Sequence, residues 1–269
     1  MYVFTALLIV FIVVSIYGLI EFALHQKRIY SIPIRIHVNG TRGKSSVTRL
    51  IGAALREGGI RTVTKVTGTY PRLILENGCE VGIYRKASAN IIEQLSIIKF
   101  ASNRKAQAIV MECMAIQPQY QWITETKMLH STISVITNVR LDHIDVMGYT
   151  LPEIAEALGN TIARKQHLFT AEKYLYNDLK KISDKRSSTI NLSEDYSVTE
   201  EEMNGFAYIE HKEKATKSIL KSIVLPIINA DKKRRIMPLC SFNPSFSLLF
   251  NIFQVMSIYN RKIKINMTV

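Results

Sequence analysis

The sequence predicts an α/β fold, a mostly parallel sheet covered by helices on both faces and preceded by one N-terminal transmembrane helix. Three observations carry this. Short apolar runs alternate with amphipathic stretches of about ten residues from residue 34 to residue 163, the pattern of strand–helix–strand units. A glycine-rich stretch, His37-Val38-Asn39-Gly40-Thr41-Arg42-Gly43-Lys44-Ser45-Ser46, joins the first of those runs to the first helix. Residues 2–20 are uncharged and apolar apart from Thr5, Ser15, Tyr17 and Gly18, about the length that crosses a bilayer.

Taken in order, the N-terminal run lacks the basic start and small-residue cleavage site of a signal peptide, since Glu21-Phe22-Ala23-Leu24-His25 follows it. A buried core helix fits less well, because nothing amphipathic interrupts the run. Lys27, Arg28 and Arg35 come next. The positive-inside rule then makes residues 1–24 a single-pass anchor in the cell membrane and puts the remainder in the cytoplasm. Strands are predicted at 34–38, 62–66, 81–84, 108–111 and 132–137, and helices at 45–57, 90–102, 120–127 and 151–163. The last helix has the clearest start, with Thr150 as N-cap, Pro152 in the first turn and Glu153 at N3. Beyond Tyr174 the pattern weakens. Residues 180–197 are polar and broken, and residues 214–269 hold apolar pieces without turn logic.

Charge and cysteines narrow the class. The net charge is +13, but residues 212–269 carry eleven Lys/Arg against only Glu213 and Asp231. A nucleic-acid enzyme spreads basic residues and aromatics around its site; an excess confined to one end fits a solvated tail or an anionic membrane surface, so no nucleic-acid partner is expected. Cys79, Cys113 and Cys240 are odd in number and widely spaced. They make neither a disulfide framework nor a metal pair, which suits a reducing compartment.

The glycine-rich stretch is a phosphate cradle in outline. Glycines let backbone N–H groups converge on phosphate oxygens, and a helix N-terminus adds partial positive charge. In that setting Lys44 would reach the β/γ-phosphates of a nucleotide and the Ser45 hydroxyl would ligate Mg²⁺. The spacing is shorter than the commonest form, because Val38 stands where a first glycine would be; an ordinary loop before a helix is the bland alternative. Strand 108–111 ends in Glu112-Cys113-Met114. A carboxylate at a strand end beside such a loop is a usual metal ligand or water-orienting group, against the plain reading of a lone loop Glu. Strand 132–137 ends in Asn138-Val139-Arg140-Leu141-Asp142-His143-Ile144-Asp145. His143 can ligate a divalent metal and Asp142 can fix its ring, or the cluster is a solvated turn. Thr67-Gly68-Thr69-Tyr70-Pro71-Arg72 would sit near the first loop, and an ordinary turn explains it equally well. Lys165 follows the capped helix, where a basic residue complements the helix dipole.

Together, G-T-R-G-K-S, the strand-end Glu112 and N-V-R-L-D-H-I-D resemble the central ATPase domain of the Mur ligase and folylpolyglutamate synthase superfamily. The resemblance covers residues 32–173 and fades before His211, defining an ATP-binding domain at 32–211 and an atypical basic segment at 212–269. With T-G-T-Y-P-R, T-L-P-E-I-A-E-A-L-G-N-T and the N-terminal anchor, the chain looks like the ligase subunits of bacterial poly-γ-glutamate capsule synthases. The resemblance implies ATP-dependent amide ligation: ATP phosphorylates a glutamate γ-carboxyl, and the amine of another glutamate attacks the acyl phosphate.

By position, Gly40, Thr41, Arg42, Gly43, Lys44, Ser45 and Ser46 would hold the phosphates. Ser45, Glu112 and His143 would surround Mg²⁺, with Lys44, Glu112 and His143 the catalytic set, while Asn138 and Asp142 would shape the site. Members often carry a carbamylated lysine on a second metal, for which Lys165 is the candidate. The implied partners are glutamate or poly-γ-glutamate, the membrane and other subunits of a membrane synthase. The competing readings are a related ligase on another carboxylate and a membrane-tethered nucleotide-binding scaffold without turnover. The family's further C-terminal domain is expected to be shortened or altered here, leaving ATP binding intact and amide formation weak.

Overall fold

The structure is a computed structural model that describes residues 2–68, 70–85, 89–193, 223–224 and 226–229. Eight strands form one sheet: β1 Ile34–Asn39, β2 Thr62–Val66, β3 Arg72–Ile74, β4 Glu80–Gly82, β5 Ala108–Glu112, β6 Ile133–Ile136, β7 His167–Thr170 and β8 Thr189–Leu192. Their order is β4-β3-β2-β5-β1-β6-β7-β8. The pairings are parallel except at β2–β3 and β3–β4. From β1 the chain runs out through β2 and β3 to the edge strand β4, returns to β5 between β2 and β1, and then crosses to β6, β7 and β8 on the other side. That reversal opens a crevice at the carboxyl end of β1, where ligands bind in sheets of this kind.

The helices are α1 Tyr2–Tyr30, α2 Lys44–Glu57, α3 Glu93–Asn103, α4 Pro118–Ile123, α5 Ile144–Met147, α6 Leu151–Leu158 and α7 Tyr176–Lys185. The side of α2 that carries Val47, Ile51 and Leu55 packs on Ile36, Val38 and Val110, with Ile223, Val224 and Ile228 closing over the cluster. A second cluster joins Val63, Ile98, Ile109, Met111 and Leu129 to Ile29 and Ile32. Helix α1 is therefore two things in one rod. Its large apolar side chains are exposed through Leu24, whereas His25 and Ile29 are buried. His25 Nε2 bonds the Met128 carbonyl at 2.9 Å. The rod is 29 residues long, about 43 Å at 1.5 Å per residue.

Three expectations need correction. The predicted strand at 81–84 is instead the short edge strand β4, Glu80–Gly82, paired antiparallel to β3, a strand absent from the sequence prediction. The predicted helix at 120–127 begins at Pro118 and widens into a π-helix, Thr124–Leu129. That widening coincides with Glu125, whose carboxylate turns inward to His37 and Ser131. The predicted helix at 151–163 is α-helical only to Leu158, ending in a 3-10 turn, Gly159–Thr161. Its capping box at Thr150 and Glu153 forms as expected. The segments at 194–211 and, apart from the six residues named above, at 212–269 lie outside the described residues, as does Thr69.

Candidate active site

The site is assembled where the loops after β1, β2, β5 and β6 meet. The β1 loop turns twice through conformations that favour glycine, at Gly40 (φ 132°) and Gly43 (φ 75°). A Cβ on Gly40 would stand 2.9 Å from the Thr137 amide nitrogen and 3.1 Å from that of Asn138, so only glycine lets the loop lie this close to β6. The segment after β6 clamps it there. Thr41 N donates to the Asn138 carbonyl at 3.1 Å, and Arg42 N donates to Asn138 Oδ1 at 3.0 Å. Asn138 Nδ2 and Thr137 Oγ1 both donate to the Arg42 carbonyl. The Thr41 hydroxyl accepts from Arg140 N at 2.9 Å. Asn138 is thus a clasp on the glycine loop.

Glu112 joins three loops. It is buried at the end of β5 and accepts from the Ser45 hydroxyl at 2.8 and 3.0 Å and from the Thr67 amide at 2.7 Å. Lys44 folds over the cradle, with Nζ donating to the carbonyls of Gly40 at 2.7 Å and Thr41 at 3.2 Å. His143 starts α5 in the left-handed region at φ 46°, and its amide donates to Asp142 Oδ1 at 3.1 Å. Asp142 in turn pairs with Arg42 at 3.4 Å. Lys44 and His143 line one cavity of about 160 Å³, together with Asn39, Thr67, Arg85 and Met114. The structure therefore brings Gly40–Ser45, Glu112, Asn138, Asp142 and His143 to one crevice; Ser46 lies one residue further along α2.

Lys165 is elsewhere. It precedes β7, and its amide donates to the Arg186 carbonyl. Register places His167 level with Ile133 and Ile36, so Lys165 sits at the amino end of the sheet, roughly 20 Å from Gly40 along the strands. A ligand role beside the glycine loop does not fit that position. Arg72 is also turned away from the loop, pairing with Glu80 at 3.6 Å.

Sequence reasoning missed other participants. Glu172, buried two residues after β7, accepts from Val139 N and from Arg140 Nη1. It is a strand-end carboxylate like Glu112 and would have been legible had β7 been read as a strand. Beneath the loop, His37 is fully buried, with Nδ1 2.8 Å from Glu125 Oε2. Burial opposes its positive charge, but the Cys113 sulfur and the Glu125 carboxylate beside it outweigh that and hold the imidazole up at about 9. Among the described residues no three His, Cys, Asp or Glu side chains gather into a metal cage. The oxygen donors that do converge are Ser45 Oγ and the Glu112 carboxylate. Such a pair fits Mg²⁺, which keeps several waters and takes its other ligands from phosphates.

A model of the Mur ligase middle domain family matches residues 38–226. The chain belongs to this family. Within this Mur ligase family, it is 40% identical over 214 residues to the capsule biosynthesis protein CapB of Bacillus anthracis, covering 79% of this chain and 46% of that one. It is 39% identical over 212 residues to the PGA synthase CapB of Bacillus subtilis, covering 78% and 54%. The chain spans about half the length of these curated relatives. Among solved structures it resembles a folylpolyglutamate synthase/dihydrofolate synthase of Yersinia pestis complexed with AMPPNP and Mn, with a TM-score of 0.60 at 13% identity, covering 88% of this chain and 60% of that one. It also resembles E. coli FolC with ADP, with a TM-score of 0.54 at 14% identity, covering 66% and 47%. These likenesses establish the Mur-ligase type of α/β fold.

Proposed function

We propose that the chain is an ATP-dependent acid–amino-acid ligase that forms γ-glutamyl amide bonds in poly-γ-glutamate capsule synthesis. The observation that carries this is the meeting of Lys44, Ser45 and Glu112 on a glycine loop that admits no side chain at Gly40, in a chain 40% identical to CapB. The Gly40–Ser46 backbone and Lys44 would hold the nucleotide phosphates, and Ser45 and Glu112 would hold Mg²⁺, while His143 lines the same cavity as Lys44. Bound there, Mg²⁺ would supply positive charge to offset that of the transferring phosphoryl group. Asn138 and Asp142 keep the cradle in shape through Arg42 and Thr41, so little reorganisation accompanies the reaction. A carboxylate oxygen of the acyl substrate attacks the γ-phosphorus as the bond to ADP breaks; an amine then attacks the acyl carbon and phosphate leaves.

Helix α1 is long and apolar enough to span a membrane. We read it as a single-pass anchor in the cell membrane, with Lys27 and Arg28 marking its cytoplasmic end. Its C-terminal end, packed through His25 and Ile29, ties the anchor to the catalytic domain. Glutamate or poly-γ-glutamate is the substrate, and other subunits of a membrane synthase are the partners. ATP hydrolysis by membranes carrying this chain, with and without glutamate and Mg²⁺, tests the reading. A ligase shows glutamate-dependent ADP release and labelled product from labelled glutamate; nucleotide binding without turnover would mark a scaffold instead.

A further inference from the structure

Lys65 is the largest side chain with no exposure at all in the described protein. Burying an ammonium costs several kcal/mol, and an ion pair formed there is weak evidence of added stability. All three of its protons are engaged. Nζ lies 2.7 Å from Glu93 Oε1, 3.1 Å from Gln94 Oε1 and 3.4 Å from Met114 Sδ. Burial lowers its pKa, and the Glu93 carboxylate works against that loss of charge. The other side of Glu93 grips Arg85, whose Nε and Nη2 stand 2.6 and 3.1 Å from its two oxygens.

Arg85 and Met114, the two groups this network holds, both line the 160 Å³ cavity that also contains Lys44 and His143. Two cations share the one Glu93 carboxylate, so the cluster carries a net positive charge. No Asp or Glu is among the described residues that line the cavity. Glu93 occupies one edge of the guanidinium. The other edge, Nη1 with the second Nη2 proton, has no hydrogen-bond partner among the described residues. A free guanidinium edge accepts a carboxylate in bidentate fashion.

We propose that Arg85, positioned by the buried Lys65–Glu93 pair, is the carboxylate-binding residue of the cavity and seats an anionic acyl substrate beside Lys44. The inference rests on the ligase reading above and adds the feature that selects the substrate: a carboxylate distinct from the one that reacts, such as the α-carboxylate of a γ-linked glutamyl chain. Lys44 serves the nucleotide, and Arg85 serves the acyl group.

The test is calorimetric titration of the full chain in detergent, saturated with AMPPNP and Mg²⁺. The probes are the γ-glutamyl-glutamate dipeptide and its analogue with both α-carboxylates amidated and the terminal γ-carboxylate left free. The wild type binds the dipeptide at least tenfold more tightly than the amide. Arg85→Ala removes that preference, leaves the weak binding of the amide unchanged and keeps AMPPNP affinity within twofold; Arg85→Lys restores part of the preference. Glu93→Gln reduces the preference without altering amide binding, a selectivity that a merely structural role would not produce. Equal loss of dipeptide and amide, loss of AMPPNP binding in Arg85→Ala, or an unchanged dipeptide preference would each overturn the inference. A wild type that binds AMPPNP but treats both probes alike sinks this inference and spares the nucleotide site, whereas a wild type that binds no AMPPNP sinks the ligase reading itself.

Discussion

Raising the pH should unfasten the floor of the glycine loop through His37. In the folded protein this imidazole is buried against Glu125 and Cys113 and titrates at about 9; in the unfolded chain it titrates near 6.5. Below pH 6.5 both states hold the proton and the full stabilisation is present. Between 6.5 and 9 the unfolded state releases its proton first, so stability falls as pH rises, by up to 1.36 kcal/mol per unit. The total is about 3 kcal/mol, a large part of the stability of an ordinary domain. Urea denaturation in detergent at half-unit steps from pH 6 to pH 10, followed by tryptophan fluorescence, measures it. The double variant His37→Gln/Glu125→Gln removes both charges and should flatten the profile, because it leaves no buried charge without a partner. A wild-type profile that is flat from 6.5 to 9, or a double variant that falls as steeply, refutes the argument.

Three further outcomes are expected. Lys44→Ala should lower nucleotide-dependent turnover by on the order of 10²-fold and change folding stability by less than about 1 kcal/mol, since its contacts are two loop carbonyls; wild-type turnover would displace it from the site. Glu112→Gln keeps the shape but weakens the acceptor for Ser45 and Thr67, so the Mg²⁺ needed for half-maximal turnover should rise roughly tenfold, alongside a folding cost of about 1–2 kcal/mol; an unchanged Mg²⁺ requirement would show that the carboxylate serves only as a tie between loops. Protease added to intact spheroplasts should spare the chain beyond Arg28, and cutting there would reverse the proposed topology.

The parallel strands around β1 were legible because each is a short apolar run set between amphipathic or polar stretches. The glycine loop was legible because its local chemistry is specific. Glu112, Asn138 and His143 could be named because each follows a strand read as such. What escaped was set by tertiary contact. The π-helix coincides with Glu125 reaching inward to His37, a contact across 88 residues of sequence, and no local periodicity encodes it. Strand β3 is three residues long and takes its place from pairing with β2 and β4. Lys65 reads on paper as a solvated lysine inside an alternating strand; only the approach of Glu93 on α3 makes it a buried cation. Lys165 failed for the opposite reason. The resemblance supplied its role by chain order alone, and the turn before β7 carries it to the far end of the sheet.

The most direct test of the central claim follows an oxygen atom. Membranes carrying this chain are given ATP, Mg²⁺ and glutamate labelled with ¹⁸O in its carboxylates, with hydroxylamine in place of an acceptor amine. If the site joins the carboxylate to the γ-phosphorus, hydroxylamine captures the acyl group as the γ-hydroxamate and each phosphate released with it carries one ¹⁸O from glutamate. The account predicts equal amounts of hydroxamate, ADP and labelled phosphate, all lowered together on the order of 10²-fold in Lys44→Ala. Release of ADP with unlabelled phosphate and no hydroxamate would mean that water, not the glutamate carboxylate, receives the phosphoryl group, and would contradict the assignment of this site as a ligase.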